Sequence, residues 1–597
     1  MQAKRRLLLG LGTLTGLGAL ALGNVSTAAA AVRAAPAPNS APVSALPQAD
    51  QRVETPVNDP NNPADVEETF VKLHYPLPAS AGPRPAECDW VGYMRFRLKD
   101  GPRDSKDADG VVTSMPGFGG GAGELSMHAA QTVHSAAAKG KKIEFWALER
   151  RSACLEDHTG LDAANQAKNA DVALGYYFGG KEVNGHRFGG FKTDKDVAFL
   201  AHVGLAQTLD DWRVSIQQAL PDPASHKKVF CGGHSLGGPI TGLMSSWDFD
   251  GDPKTTDDAG YNLCGGGYVA IDTGIIADPI GLTAFPIIKD VINKVGGATL
   301  DGVNKVIAAG PRTLQFLQFY SPKILTSVGI IGQEARYRGD QESTLLKRMP
   351  NAPILDIVLR LAYSRTWTQL LTGMPSVRDY RFTGQALFGS FVDDNSMPLN
   401  ILQVSQGALD GGPVAPKTFP LPGQDLGKIP FFGEILNDTI GLTNTWAPTS
   451  TKTLYHWRQY DRIAGSDAAR YTSPDREVTD LRTLAVTASS PGPSDLTEWY
   501  FPTRLITDIG FALVGTRTGD LAHLMYDGPS KRPQVGALGG DSPFQYVAKT
   551  GLFFPKDSIV APNYSHIDMT IASPKQNNGK PEPVTEKVAG FVVKQLG

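Results

Sequence analysis

Short runs of β-branched and aromatic residues, each bounded by Gly, Pro or Asp, recur along the first half of the chain and again near its end. They predict eight strands, at residues 69–75, 90–98, 111–115, 143–148, 228–231, 268–271, 534–538 and 558–561. Ala-rich stretches of helical character, such as 124–138 and 196–220, lie between most of the later runs. Because strand and helix alternate, the pattern predicts an α/β fold with a mainly parallel eight-stranded sheet flanked by helices.

The alternation stops after residue 274 and resumes at about residue 531. Between these points, apolar stretches of helical spacing occur at 286–295, 314–319 and 354–371. We therefore predict a large, mostly helical cap at 275–530, inserted between the two parts of one α/β core at 66–274 and 531–597. A chain of 597 residues can use most of its length in this way as one cooperative unit.

The first 31 residues have the three parts of a signal peptide: a basic start, a Leu- and Gly-rich apolar run, and an Ala cluster. The pair Arg5-Arg6 also fits a twin-arginine export signal, and the sequence leaves both routes open. Residues 32–65 are mostly Ala, Pro, Asn and Ser with scattered acids, which predicts a flexible leader. The expected location is therefore extracellular.

Composition excludes several kinds of partner. The net charge is −3, and no Lys/Arg run follows the first few residues, so the chain lacks the basic footprint of a nucleic-acid-binding protein. No later segment is apolar over the length that a membrane-spanning helix needs. The sequence contains neither a Cys-x-x-Cys pair nor a His-rich tract, so we predict no structural metal site and no cofactor.

The four cysteines, Cys88, Cys154, Cys231 and Cys264, are free to pair in an oxidising exterior, and three connectivities are open for a full pairing. We favour a bond between Cys88 and Cys154. Cys231 lies on a strand that should be central and buried, where a free thiol packs as a small hydrophobic side chain.

The strongest chemical signal is the segment Gly233-His234-Ser235-Leu236-Gly237, which directly follows a predicted strand and precedes a predicted helix. It fits the nucleophile-elbow pattern, in which glycines permit a tight strand-to-helix turn that exposes a strained serine. The helix N-terminus beneath such a serine favours developing negative charge. We therefore predict that Ser235 is a nucleophile.

A serine hydroxyl needs a base, and His566 lies just after the last predicted strand, where such a base belongs. A purely structural role is the better interpretation of the other candidate histidines, which are His128, His158 and His523.

Two aspartates compete to orient this base. Asp541 follows Gly539-Gly540 at the end of the penultimate strand, and the glycines allow a turn that aims its carboxylate. Asp272 ends the strand that follows the nucleophile helix. Either acid would hold the imidazole in the correct tautomer. We favour Asp541, keep Asp272 as the alternative, and place Asp508 third.

Acyl transfer also needs hydrogen-bond donors for the oxyanion. The glycine-rich loop 115–121 follows an early strand, and its backbone N–H groups can approach a substrate closely because side chains are absent. We assign the two donors to the backbone N–H groups of Phe118 and Leu236. A phosphate-binding loop would need a Lys-Ser/Thr pair after the glycines, which is missing.

Two charged segments are interpreted as structural. Residues 248–258 resemble a calcium loop in composition but lack the spaced Gly and the terminal Glu of an EF-hand, so we interpret them as a solvated loop. The segment 149–158 carries charges of both signs, and we expect ion pairs around a loop near the site.

The catalytic segments resemble the α/β-hydrolase superfamily and are more particularly similar to acid lipases of the gastric and lysosomal type. The likeness rests on Gly-His-Ser-Leu-Gly at 233–237, Leu454-x-His456-Trp457-x-Gln459, Gly539-Gly540-Asp541 and Asn563-Tyr564-x-His566-x-Asp568. It implies a triad of Ser235, Asp541 and His566, a helical cap between the sixth and seventh strands, and hydrolysis of lipid esters. The chain departs from that family in an acid motif one residue shorter, a longer cap, and Pro-Gly-Phe in place of His-Gly in the oxyanion loop.

The expected reaction is two-step acyl transfer to water. Apolar cap residues, including Phe316, Phe319, Leu359 and Trp367, favour a lipid-like or bulky hydrophobic ester, although they could equally form the core of the cap itself. An aminopeptidase or amidase of the same fold and a non-catalytic binding protein remain the alternatives.

Overall fold

A computed structural model describes residues 51–252, 254–277, 299–316, 320–419, 445–469, 471–490, 492–545, 554–577 and 579–597. Nine strands form its central sheet: β1 (Arg52–Val57), β2 (Val66–His74), β3 (Trp90–Leu98), β4 (Gly110–Met115), β5 (Ile143–Glu149), β6 (Val229–His234), β7 (Gly267–Ile271), β8 (Gln534–Gly539) and β9 (Asp557–Ala561). The predicted signal peptide lies outside the described residues.

The sheet is mixed and mostly parallel. Its order is β1-β2-β3-β5-β4-β6-β7-β8-β9. Every neighbouring pair from β5 to β9 is parallel, whereas β1 with β2, β2 with β3 and β3 with β5 are antiparallel. All residues of β4, β6 and β7 are buried, as expected for parallel strands covered on both faces.

The ninth strand, β1, corrects the prediction of eight strands and of a flexible leader through residue 65. It pairs with β2 along its whole length. Glu54 on this strand accepts hydrogen bonds from Thr69 at 2.6 Å and from Arg95 at 3.0 Å. Because β1 lies at the edge of the sheet and is half polar, with Pro56 in it, its sequence lacks the apolar alternation of a buried strand.

Helices cover both faces of the sheet and build much of the cap. Their bounds are α1 (Ser126–Ala138), α2 (Thr159–Ala167), α3 (Ala170–Gly179), α4 (Leu205–Ala219), α5 (Gly237–Ser246), α6 (Gly260–Leu263), α7 (Leu300–Ala309), α8 (Pro322–Arg338), α9 (Leu345–Arg348), α10 (Pro353–Tyr363), α11 (Trp367–Thr372), α12 (Gly384–Val392), α13 (Leu481–Ala488), α14 (Thr503–Leu513), α15 (Asp568–Ile571) and α16 (Pro583–Leu596). Helices α1 and α16 pack on one face with Phe145 and Phe230, and α4 and α5 pack on the other with Trp146.

The cap lies between β7 and β8 and contains short strands as well as helices. Arg381–Phe382, Leu454–Gln459 and Gly407–Asp410 form a three-stranded sheet, and Val414–Pro416 pairs with Trp446–Pro448. The helix predicted at 354–371 is two helices, α10 and α11, because Ser364 between them is extended. The stretch 286–295 lies outside the described residues, and of 314–319 only the short 3-10 turn Leu314–Phe316 is described.

Two of the four apolar cap residues named from the sequence have described side chains, and these lie in different surroundings. Leu359 is fully buried in a hydrophobic cluster that the cap shares with residues of 77–203, so its side chain is not exposed to a substrate. Trp367 packs beside Phe419, with ring centroids 5.6 Å apart. The side chain of Phe316 and the whole of Phe319 lie outside the described part of the chain.

Two disulfides cross-link the core. The predicted bond between Cys88 and Cys154 is confirmed. The sequence favours a free thiol at Cys231, but this residue pairs with Cys264. The bond ties β6 to the segment that leads into β7. None of the helices among the described residues is long and apolar enough to cross a membrane.

Candidate active site

Ser235 lies in the turn that joins β6 to α5, at the carboxyl edge of the parallel strands. Its φ is 52°, in the left-handed region that non-glycine residues rarely adopt. A Cβ on Gly233 would lie 2.3 Å from the carbonyl carbon of Gly237, and one on Gly237 would lie 2.2 Å from the carbonyl oxygen of Met115. Neither position tolerates a side chain, so the flanking glycines are what permits this turn.

His566 and Asp272 form a buried hydrogen-bonded pair beside this turn. His566 Nδ1 lies 2.5 Å from Asp272 Oδ2, and the two residues are 4% and 0% exposed. Asp272 also accepts hydrogen bonds from Gly539 N at 2.9 Å and from Ser542 Oγ at 2.5 Å. The backbone N–H of Ser235 donates to the carbonyl of Ile271, the residue before Asp272, at 3.1 Å. The structure therefore brings the predicted base to the alternative acid, and it places the backbone of the predicted nucleophile against the strand end that carries this acid.

Asp541, the acid that the sequence favours, has no contact with His566 among the described residues. Its backbone N–H donates to Tyr564 at 3.0 Å, and its side chain is exposed. The Gly-Gly turn before it does hold β8 against the His566 loop, because Gly540 N donates to the carbonyl of Ala561 at 2.7 Å. That turn fixes the backbone, but it does not direct the Asp541 carboxylate towards His566.

The other candidates from the sequence also lie in other surroundings. Asp508 pairs with Arg504 at 2.8 Å. His158 contacts Glu156 at 3.0 Å, and His523 contacts the backbone carbonyl of Asp248 at 2.5 Å. His128 is buried among core residues, with its ring edge against Phe145. None of these side chains contacts His566 within the described residues.

A second histidine–carboxylate pair, formed by His234 and Glu124, lies next to the pair of His566 and Asp272. Glu124 contacts His234 Nδ1 in a short buried hydrogen bond, and His234 Nε2 lies 3.1 Å from the backbone carbonyl of His566. The two imidazole rings are 4.4 Å apart. Glu124 also accepts from the backbone N–H of Gly117 at 3.1 Å. One carboxylate thus connects the glycine-rich loop, the nucleophile turn and the histidine loop.

The sequence did not reveal this second pair. His234 is visible in the Gly-His-Ser segment, but Glu124 precedes it by 110 residues and carries no local motif. Only the tertiary fold, which places the turn before α1 beside the end of β6, brings the two side chains together.

In the two histidine–carboxylate pairs, the pKa values of His234 and His566 are shifted in opposite directions. Burial lowers the pKa of His234, but the adjacent Glu124 carboxylate outweighs burial and holds that pKa above its usual value. Burial and then the neighbouring His234 lower the pKa of His566, against the opposing effect of Asp272. His566 therefore remains neutral at neutral pH, the state in which an imidazole can accept a proton.

The glycine-rich loop lies against the nucleophile. A Cβ on Gly117 would lie 3.1 Å from the Cβ of Ser235. Among the residues that the structure describes, neither the backbone N–H of Phe118 nor that of Leu236 has a hydrogen-bond acceptor. Both amides are therefore free to donate to a ligand, and their role as oxyanion donors stays a prediction.

The side chain of Arg150 binds the carbonyl groups of the glycine-rich loop. Its guanidinium donates to the carbonyls of Pro116 at 3.0 Å, Gly117 at 2.8 Å and Gly120 at 2.5 Å. Its Nε also pairs with Glu498 of the cap at 2.7 Å, and both side chains are buried. The charged segment 149–158 thus supplies ion pairs near the site, and this one fixes the loop conformation.

Aromatic side chains lie beside the glycine-rich loop and beside the loop that carries His566. Phe118 packs beside Tyr320 and Phe501 of the cap, with ring centroids 5.2 and 5.0 Å away, and remains 36% exposed. Phe544 packs on His566 at 5.0 Å. Aromatic rings therefore lie beside both the glycine-rich loop and His566.

No protein-family model and no curated protein matches the chain. Among solved structures it is similar to a lipase in its open form, at 10% identity and a TM-score of 0.28 over 85% of this chain and 96% of that one. It is also similar to an epoxide hydrolase from an endophytic Streptomyces, at 10% identity and a TM-score of 0.29 over 91% and 95% of the two chains. A juvenile hormone epoxide hydrolase from the silkworm Bombyx mori matches at 10% identity and a TM-score of 0.28, over 92% and 79%.

Proposed function

We propose that this protein is an exported serine hydrolase of the α/β-hydrolase superfamily that cleaves carboxylic esters with lipid-like or bulky hydrophobic groups. The observation that supports it most is the position of Ser235, at a φ of 52° between β6 and α5, beside the buried pair of His566 and Asp272. A serine, an imidazole and a carboxylate at the carboxyl edge of a mainly parallel sheet are the parts of a nucleophilic triad.

In the proposed reaction, His566 accepts the hydroxyl proton on Nε2 as Ser235 Oγ attacks the ester carbonyl carbon. Asp272 keeps the other ring nitrogen hydrogen-bonded, which fixes the tautomer and stabilises the imidazolium that forms. The backbone N–H groups of Phe118 and Leu236 donate to the oxyanion. His566 then protonates the departing alcohol oxygen. A water molecule, deprotonated by the same imidazole, attacks the acyl carbon, the bond to Ser235 Oγ breaks, and His566 returns the proton to Oγ as the carboxylic acid is released.

The substrate class follows from the surroundings of these atoms. Phe118, Tyr320, Phe501 and Phe544 place aromatic rings around the loop and the base, and we expect them to contact the acyl or alcohol group of the substrate. The two disulfides are compatible with the proposed export. The acid-lipase resemblance adds lipid esters as one substrate class, although the acid in this chain differs from the one that the resemblance implied.

The experiment that tests the proposal combines covalent labelling with turnover. A fluorophosphonate probe and a series of p-nitrophenyl esters from acetate to palmitate would be applied to the wild type and to Ser235→Ala. We expect labelling and turnover in the wild type, loss of both in the variant, and higher kcat/KM for longer acyl chains. Ordinary turnover by Ser235→Ala would refute the assignment of the nucleophile. A wild type inert to probe and esters would leave a non-catalytic binding protein as the better interpretation.

An aminopeptidase remains a second candidate because of one feature of the cap. Carboxylate oxygens of Asp393, Asp394 and Glu477 lie within 4.8 Å of one another, as in a site for a free N-terminal amine. Ser405 connects this cluster to the His566 loop, because its hydroxyl lies 3.3 Å from Asp394 and its backbone N–H donates to Asp568 at 3.1 Å.

The ester assignment nevertheless has the stronger support. The cluster is buried and already has donors, including Gly407 N to Glu477 at 2.6 Å and Arg476 to Asp394 at 3.2 Å. Five of its six carboxylate oxygens therefore accept hydrogen bonds within the protein, and Asp393 Oδ1 alone lacks a donor among the described residues. Release of amino acids from peptide p-nitroanilides, at rates above those for any ester, would reverse this preference.

A further inference from the structure

Three aspartates meet in the loop that follows the nucleophile helix α5. Carboxylate oxygens of Asp248, Asp250 and Asp258 lie within 4.8 Å of one another. The loop closes on itself through a backbone bridge between Asp248 and Ala259, which brings the two ends of the acidic segment together. Between residues 248 and 258 the sequence has five aspartates and one lysine, so the loop has an excess of negative charge.

The innermost carboxylate lacks the donors that a buried acid needs. Asp248 is 0% exposed, and neither of its carboxylate oxygens has a hydrogen-bond partner among the described residues. Asp258 Oδ1 is buried and unpartnered in the same way. Burying an ionised carboxylate without donors is costly, so such an oxygen requires a cation or a proton.

We propose that Asp248, Asp250 and Asp258 bind a calcium ion. This site is separate from the proposed triad, and the proposal differs from the interpretation of the segment as a solvated loop.

The donor set and its dimensions favour calcium. Oxygen-only ligands suit hard cations, and Ca²⁺ accepts irregular shells of six to eight oxygens at about 2.3–2.6 Å. Two oxygens bound to one such ion are at most about 5 Å apart, and the three carboxylates each offer an oxygen within that distance of the others. Mg²⁺ would need shorter distances and a near-octahedral arrangement. Backbone carbonyls and water would complete the shell.

The alternative to a cation is a shared proton. Burial, and then the neighbouring carboxylate of Asp258, raise the pKa of Asp248 to about 7. A bound Ca²⁺ would offset the repulsion between these adjacent carboxylates, whereas a shared proton would leave them no need of a cation. The two explanations therefore predict different responses to calcium under mildly alkaline conditions.

A cation here would link the nucleophile helix to the end of the cap. Asp248 N donates to the carbonyl of His523 at 2.8 Å, and Trp247 pairs with Leu524 in a backbone bridge. The rings of Trp247 and His523 also stack, with centroids 5.2 Å apart. We expect the ion to fix the loop against this segment and so to stabilise the junction between core and cap.

The test measures calcium binding directly and through stability. The full-length secreted protein would be stripped with EDTA at pH 8, then titrated with CaCl₂ by calorimetry and melted with and without 10 mM CaCl₂. The wild type, Asp248→Asn and Asp258→Asn would be compared with Asp257→Asn. Asp257 is the matched control, because it is an exposed aspartate of the same loop that lies outside the cluster.

We expect the wild type and Asp257→Asn to bind Ca²⁺ with a Kd in the micromolar to millimolar range and to gain about 3 °C or more in Tm. Asp248→Asn and Asp258→Asn should lose at least tenfold in affinity and most of the gain in Tm. Terbium luminescence sensitised by Trp247 would provide a second signal, on the wild type alone, if Asp248→Asn fails to fold. A wild type without calcium binding, or variants that bind as tightly as the control, would overturn the proposal.

Discussion

Asp272 Oδ2 and His566 Nδ1 are 2.5 Å apart, although 294 residues separate them in the chain. Asp272 adopts a φ of 48°, a left-handed conformation at the end of β7 that turns its side chain out of the strand direction. Its second oxygen is held by the backbone N–H of Gly539 on the neighbouring strand. The carboxylate is therefore fixed from two strands before it meets the imidazole.

The first prediction separates the two candidate acids. Asp272→Asn should lower kcat by about 10⁴-fold, because an amide can donate to Nδ1 and so favour the wrong imidazole tautomer. Asp541→Asn is the matched control and should retain kcat within about twofold, since its carboxylate makes no contact with His566 among the described residues. Steady-state kinetics on a p-nitrophenyl ester would show the difference. The reverse pattern would return the orienting role to Asp541.

The comparison of these two acids shows where sequence reasoning succeeds and where it ends. The strands and the nucleophile turn could be predicted because their signals are local: the pattern at 90–98 matches β3, and the glycines around Ser235 report a steric need of the turn itself. Asp272 and Asp541 both end strands next to each other in the sheet, and only the direction of each carboxylate distinguishes them. That direction depends on backbone conformation and tertiary contacts, which no local pattern encodes.

The same limit explains the other differences. Glu124 reaches His234 only through packing of distant segments, and Cys264 reaches Cys231 because β6 and β7 are neighbours. The edge strand β1 has a polar sequence because one of its sides has no strand to pair with. In each case the structural role of the residue or strand depends on its neighbours in the fold, which the local sequence does not show.

The second prediction concerns the acidic limb of the pH–rate profile. Because burial and the adjacent His234 lower the pKa of His566, its neutral form persists below the usual histidine range. Activity is lost as the pH falls through this pKa, since protonated His566 cannot act as a base. His234→Asn removes the neighbouring cation and should move the acidic limb of kcat/KM to higher pH. A thermal melt would control for folding, and a limb that stays in place or moves to lower pH would contradict this role.

The third prediction concerns the ion pair that supports the oxyanion loop. Arg150→Met should lower kcat by about tenfold or more, because it removes hydrogen bonds to three carbonyls of the loop that carries the Phe118 amide. Glu498→Gln should lower the free energy of unfolding by about 3–5 kcal/mol, because it leaves the buried guanidinium without its counter-charge.

The control for this pair is Arg381, which binds Glu342 on the surface of the cap. Arg381→Met should change neither kcat nor the urea midpoint appreciably, because exposed ion pairs contribute little. If Arg381→Met destabilises the protein as much as Glu498→Gln does, the effect would not come from burial of the Arg150 pair.

The last prediction concerns the disulfide between Cys231 and Cys264, which was not expected from the sequence. The two cysteines are 33 residues apart, so the bond restricts a loop of the unfolded chain that includes Ser235 and α5. Replacing both cysteines by alanine should lower the free energy of unfolding by about 3–4 kcal/mol. Urea unfolding monitored by circular dichroism would measure the loss, while kcat well below the melting temperature should be retained, because neither sulfur contacts the triad among the described residues. A variant of unchanged stability with reduced kcat would mean that the bond positions the nucleophile strand and does not mainly stabilise the fold.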